Sequence, residues 1–370
     1  MKHLFSLMLL FHIQLLAKNT YLDNHSCKEC HENIYEEYQS SMHAKSYFND
    51  ELHRKVADAA SKTTYACARC HMPMADNLQD LISGKARPDK TNKTHTDAIS
   101  CYFCHTIAYV KKAHRFNINT KARQAENYKP TFYGRLDNPD ESDKHSSVSN
   151  PIYGKHVCMG CHSHKRNENN VTIFQAMDEK QNSLGCIKCH MPEVEGGAEK
   201  MDKRARGHHA SHRFLGIHDK AYRKTGVDIG IDVNKEKLKI ILTNKMEHPL
   251  IIQPARAKFL KVQIIRNGKV IWQNYKKDPR EDRQGYFAYS FKKDGKKIIV
   301  PATATEGSVH NLAAKEKKVL QYHIPLLQKG DEVRVALYVQ LAKSDCARVI
   351  ELQDKNLLKP SLIKKEIFRL

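Results

Sequence analysis

Apolar positions change their spacing partway along this chain. From Val227 onward they cluster in short runs or alternate. Val227 to Val233 and Leu238 to Thr243 are rich in β-branched residues, and Phe259 to Arg266 alternates. Asn267-Gly268 then leads into Lys269 to Gln273, a hairpin signature. Ile298 to Val300, Val319 to Ile324 and the alternating Val333 to Val339 continue the pattern. Short strands joined by Gly, Asp and Asn turns predict a β-sandwich of about seven strands. The last segment, Leu357 to Leu370, fits a short basic helix or an edge strand. Upstream, periodicity is scarce apart from helical pieces at Ile34 to Tyr47 and Leu52 to Ala60.

The first residues carry a different signal. Lys2 is followed by a mostly apolar run of 13 residues, Leu4 to Leu16, then Ala17 and the polar Lys18-Asn19-Thr20. This predicts a cleaved secretory signal, residues 1–17, cut after Ala17, with an uncleaved anchor as the alternative. The run is short for a membrane span, and His12 and Gln14 weaken it. Cys27 is the first cysteine, so no lipid-modified Cys stands at the cleavage point. No later stretch is apolar enough to span a bilayer, so the expectation is an exported, periplasmic protein without a transmembrane segment.

What stands in for a core in the first half is chemical. Five copies of Cys-x-x-Cys-His occur there: Cys27-Cys30-His31, Cys67-Cys70-His71, Cys101-Cys104-His105, Cys158-Cys161-His162 and Cys186-Cys189-His190. Two thiols three positions apart add to the two vinyl groups of one haem, and the adjacent imidazole binds the iron from one face. Zinc is the alternative, because paired Cys-x-x-Cys units also supply four thiolates. Zinc needs no His after every second Cys, however, and five pairs leave one without a partner. A disulfide framework has no use for the His either. The reading is five c-type haems, with ten of the eleven cysteines as thioether sites. Porphyrins then supply buried apolar area that side chains supply elsewhere, which accounts for the missing periodicity. The expected fold class is α+β: a mainly helical and loop region wrapped around five haems (18–218), followed by the β-sandwich domain (219–370).

Iron needs a second axial ligand, and the chain has 22 histidines. The most ligand-like outside the motifs are His43 in Ser-Met-His-Ala, His95 before the third motif, and His145 in Lys-His-Ser-Ser. Further candidates are His209, His212 and His218, in the His-rich strip Gly207 to His218, and His248 before Pro249. If His248 caps a haem, the second domain is docked onto the first; as a turn residue it carries no such implication. His25, His53, His114, His156, His164, His310 and His323 default to surface or structural roles. Met72 and Met191 directly follow motif histidines and point badly for the same iron, so they read as packing residues.

These residues resemble a family. The Tyr35 to Ala44 stretch after the first motif, the pre-motif His95, the repeated Cys-x-x-Cys-His-Met-Pro at Cys67 and Cys186, and Ser211-His212-Arg213-Phe214-Leu215-Gly216 look like the cytochrome c-552/4, or cytochrome c554-like, multihaem proteins. That group is related to hydroxylamine oxidoreductase and octahaem reductases. The resemblance covers roughly residues 20 to 218, and the region around His248 is similar to C-terminal domains attached to some of these cytochromes. It implies closely packed, mostly bis-His haems and electron transfer, with His31, His71, His105, His162 and His190 as proximal ligands. One departure matters: there is no Cys-x-x-Cys-Lys motif, which pentahaem nitrite reductases usually carry on their catalytic haem.

The functional expectation is an electron carrier, because a six-coordinate haem has no open site and rearranges little on reduction. The alternative is a reductase or oxidase of a small nitrogen or sulfur oxyanion, with one five-coordinate haem and Arg204, Arg206 and Arg213 beside the His strip. For these arginines, pairing with haem propionates is the simpler role. A third class, a haem-containing adhesion or docking protein, rests only on the β domain. Residues 18–218 carry 29 Lys+Arg against 24 Asp+Glu, and 219–370 carry 32 against 17. The basic second region predicts docking to an acidic redox partner or an anionic membrane surface, weakened by salt; nucleic acid is no partner in that compartment. Cys346, the odd thiol, reads as a buried cysteine of the sandwich.

Overall fold

The computed structural model describes residues 21–111, 116–120, 129–154, 156–177, 185–197 and 206–370. The signal segment, His114 and Arg204 lie outside the described residues.

Each haem-attachment motif closes one turn of helix. Backbone bonds run from His31 N to Cys27 O (2.9 Å), His71 N to Cys67 O (3.0 Å) and His162 N to Cys158 O (2.9 Å), while Cys101–His105 and Cys186–His190 are themselves helices. Positions i, i+3 and i+4 share a helix face, so this local winding gathers two thiols and an imidazole on one side.

Around the motifs regular structure is sparse. Asn24–Lys28 is capped by Asp23, whose carboxylate accepts from Ser26 N at 2.8 Å. Glu51–Ala60 is capped by Asp50. The helix expected over Ile34 to Tyr47 stops at Ser40. Ser40 Oγ donates to Glu37 O (2.6 Å) and Ser41 turns extended, offering the backbone a local alternative to further helix. A single 3-10 turn, His43–Lys45, follows and sets His43 apart from the helix. Antiparallel two-strand ribbons pair Ile107–Val110 with Asn117–Asn119, His164–Arg166 with Thr172–Gln175, and Glu193–Glu195 with His208–Ala210. The side-chain core here is small: Tyr47, Ala57, Tyr65, Ala68, Met72, Ala75 and Leu81. Met72 is fully buried within it.

From Val227 the chain forms two sheets. One has the order Lys317–His323, Lys237–Asn244, Val227–Asn234. The other runs Lys296–Ile298, Tyr286–Lys293, Ala257–Arg266, Glu332–Gln340, Ser361–Arg369, with Lys269–Gln273 added to the third strand and Glu306–His310 to the second. Leu238, Ile240 and Leu242 of the first sheet share one core with Val262, Ile264, Val333, Val335 and Leu337 of the second. Alternation identified most of these strands. Tyr286–Lys293 and Glu306–His310 add to the expected set, and Ile298 to Val300 contributes only its first residue to a strand. The terminal segment resolves as an edge strand, Ser361–Arg369, after one helical turn at Lys355–Leu358.

The two regions pack against each other. Glu51 accepts from Gln353 N (3.0 Å) and Asp354 N (2.8 Å), and Asn167 Nδ2 donates to Pro301 O and Ala304 O (3.0 and 2.8 Å). Cys346 is buried in a cluster with Ala342, Ala347 and Ile350, packed by Leu52 and Val56 from across the boundary.

Candidate haem sites

A histidine can hold iron only if one ring nitrogen is free and a second ligand stands opposite. Two imidazoles bound trans to one metal, each at about 2 Å with a ring radius of about 1.1 Å, have centroids about 6 Å apart. Four pairs meet that spacing: His31 with His145 at 6.3 Å, His162 with His43 at 5.9 Å, His105 with His212 at 6.2 Å, and His190 with His248 at 6.3 Å. Each joins a motif histidine to one far away in sequence.

The outer nitrogens agree with this. Nδ1 of His105 faces Tyr133 O (2.8 Å), that of His190 faces Leu215 O (2.5 Å), that of His212 Ala210 O (2.8 Å) and that of His248 Pro249 O (2.9 Å). His145 Nδ1 meets Ser147 Oγ at 3.2 Å. The four bonds to carbonyl oxygens require a proton on Nδ1 and leave Nε2 as the nitrogen available to a metal. The Nδ1 of His43 is instead buried without a partner, and Phe214 stands edge-on at 4.3 Å.

Electrostatics point the same way. Burial pushes His43 and His212 down to about 3 and His162 and His248 down to about 4, holding the imidazoles neutral. None of these rings is fully covered by protein, and His162 is exposed. The residues therefore fit haem, which when bound supplies one-electron chemistry. Among the described residues no three His, Cys, Asp or Glu converge on a single position. All eleven cysteines are outside disulfides.

Thiol contacts bring some of the motifs together. The Cys27 thiol meets that of Cys101, Cys70 that of Cys161, and Cys158 that of Cys186. The fourth motif thus touches the second through one thiol and the fifth through the other, while the first and third form a second contact pair.

Other candidates lie elsewhere. His95 is buried, but its Nδ1 accepts from Asp89 N (3.0 Å) and its Nε2 meets Asn77 Oδ1 (2.8 Å), so it has no nitrogen left for iron. His209 faces Gly196 O through Nδ1 (2.9 Å) and Glu37 through Nε2 (3.4 Å). His218 accepts from Arg256 Nη2 at 3.4 Å. Arg206 is engaged by Asp140 (3.2 Å) and Asn138 O (2.8 Å), and Arg213 is exposed.

The second motif differs from the rest. His71 Nδ1 meets Ser46 Oγ at 3.2 Å, but the imidazole against it is His53, stacked at 3.7 Å and 14°. That is too close for a metal between the rings, and His53 Nε2 is bonded to Tyr65 OH at 2.9 Å. The surface or structural default for His53 thus becomes a structural role beside a motif histidine. Nothing in its sequence neighbourhood signals this, because the contact depends on how Glu51–Ala60 docks.

Residues 26–106, the first three motifs, match the family described as cytochrome c554 and c-prime. Among solved structures the chain is similar to a penta-heme cytochrome c552 from Thermochromatium tepidum: 23% identity over 95% of this chain and 99% of that one, with a TM-score of 0.75, a likeness of fold. No curated protein matches the chain. The match over residues 26–106 and the fold shared with a penta-heme cytochrome thus coincide with five attachment motifs in this chain's own sequence.

Proposed function

We propose that this protein is a periplasmic electron carrier in which four irons are bis-His: His31/His145, His162/His43, His105/His212 and His190/His248. The observation that carries the reading is the 5.9–6.3 Å spacing of those four ring pairs. An iron with two imidazoles has no vacancy and changes little between oxidation states, which suits transfer over chemistry. Thiol contacts join the second, fourth and fifth motifs in one group and the first and third in another, which supports transfer within each group.

The setting of His71 favours one second reading, a reductase or oxidase of a small nitrogen or sulfur oxyanion. Among the described residues His53 is the imidazole found against His71, and it is not placed as an opposite ligand. Low-temperature EPR of the oxidised holoprotein, before and after nitrite or hydroxylamine, separates the two. Five low-spin haems unmoved by either compound support a pure carrier; a high-spin signal that shifts on addition supports catalysis at the second motif and refutes the pure carrier.

The basic second region serves partner docking in this proposal. The hairpin turn at Asp294-Gly295 is flanked by exposed Lys292, Lys293, Lys296 and Lys297. An acidic redox protein or an anionic membrane surface fits such a tip, and association slows as salt rises.

A further inference from the structure

Two cations sit where the second region meets the fifth haem site, without the anion that would make their burial tolerable. Lys258 is 8% exposed, and among the described residues its ammonium donates only to Leu250 O, at 2.6 Å. Arg256 Nε is buried with no partner, while its Nη2 reaches His218 at 3.4 Å. Burial draws Lys258 down to about 7 and Arg256 to about 10, and the Arg256 charge adds to the penalty on Lys258. The acid acting on Arg256 is Asp50, whose carboxylate already caps His53 N at 3.1 Å. Desolvated like charges side by side call for a counter-charge between them.

Their place in the fold says which. The strip Leu215 to His218 leaves His190, held by Leu215 N to His190 O at 3.0 Å and by the His190 Nδ1 bond to Leu215 O. The segment His248 to Lys258 leaves the opposite imidazole. The two meet where Arg256 touches His218, and the Lys258 charge acts on His248. Cys186, on the thioether side, faces Cys158 of the fourth motif. In a c-type haem the propionates lie on the edge away from the thioethers.

We propose that Arg256 and Lys258 form a carboxylate site at the domain boundary that holds a propionate of the fifth haem, so that the second region supplies this haem's counter-charge as well as its sixth ligand. The proposal rests on the His190/His248 assignment. Arginine suits the task because its planar fork matches a carboxylate and stays charged when desolvated. A fixed positive charge beside an iron favours the reduced state, so this haem titrates at a higher potential than its bis-His ligation alone dictates.

Spectroelectrochemical titration of the five-haem protein tests it. His248→Met marks the fifth haem as the wave that moves positive. Arg256→Gln is expected to move that same wave negative with low-spin EPR signals unchanged, and Arg256→Lys to restore part of the shift. Should Arg256→Gln fail to accumulate with five haems, Lys258→Met reads the same effect. An unmoved wave in these variants overturns the proposal. So does a wild-type wave that follows phosphate or sulfate concentration and loses that dependence in Arg256→Gln, which assigns the site to a free oxyanion. If His248→Met moves no wave, the ligand assignment fails first and takes the proposal with it.

Discussion

Removal of one side chain from the second region should change the spin state of a haem attached to the first. His248→Ala deletes the imidazole 6.3 Å from His190 and the Nδ1 bond to Pro249 O. The protein loses one hydrogen bond of about 1 kcal/mol and leaves a ring-sized gap at a half-buried position, together roughly 1–3 kcal/mol of local stability, below the full large-to-small cost of a core site. Spectroscopically, one haem in five should turn from low-spin to high-spin while the other three paired sites keep their signals. Free imidazole should refill the gap once it reaches roughly millimolar concentration, the range in which it matches a tethered ligand. EPR of the oxidised protein with and without imidazole reads both effects. If the mutant keeps every low-spin signal of the parent, His248 is not a ligand and the coupling of the two regions through iron is wrong.

Two other substitutions probe the remaining geometry. His95→Ala strands Asp89 N and Asn77 Oδ1, so it should lower thermal stability by about 1–3 kcal/mol while leaving all haem signals in place; a lost low-spin haem would restore His95 to the ligand set. Gly160→Ala should reduce attachment at the fourth motif, because a Cβ there would stand 2.6 Å from the backbone nitrogen of Asn117. Haem content per protein reads this, and five haems at normal yield would show that the contact is easily relieved.

Haem chemistry was legible without coordinates because it is local. Thiol, thiol and imidazole at i, i+3 and i+4 need only one turn of helix, and each motif contains its own geometry. Strand signals are likewise a property of neighbours: β-branched density marked Lys237–Asn244, and alternation marked Ala257–Arg266 and Glu332–Gln340. It failed at Glu306–His310, whose residues are mostly exposed and carry little apolar signal. The break at Ser40 escaped the helical pattern because serine competes for backbone bonds in a way spacing does not record.

Tertiary structure decided which histidine meets which. His95 looked ligand-like beside its motif, yet both its nitrogens are taken by Asn77 and Asp89, while His145, His212 and His248 cross 114, 107 and 58 residues to face their partners. Axial pairing is a contact between distant segments and leaves no period or spacing in the chain. The buried cations follow the same rule. Arg256 and Lys258 are ordinary strand-flanking residues in sequence, and only the docking of His218 beside them and the loss of water make their charge costly enough to demand a carboxylate. Sequence by itself determined how many attachment motifs this protein carries and which side chains each gathers; the folded chain decided which distant histidines and charges stand opposite one another, because that depends on distances between residues that the chain brings together only when it closes.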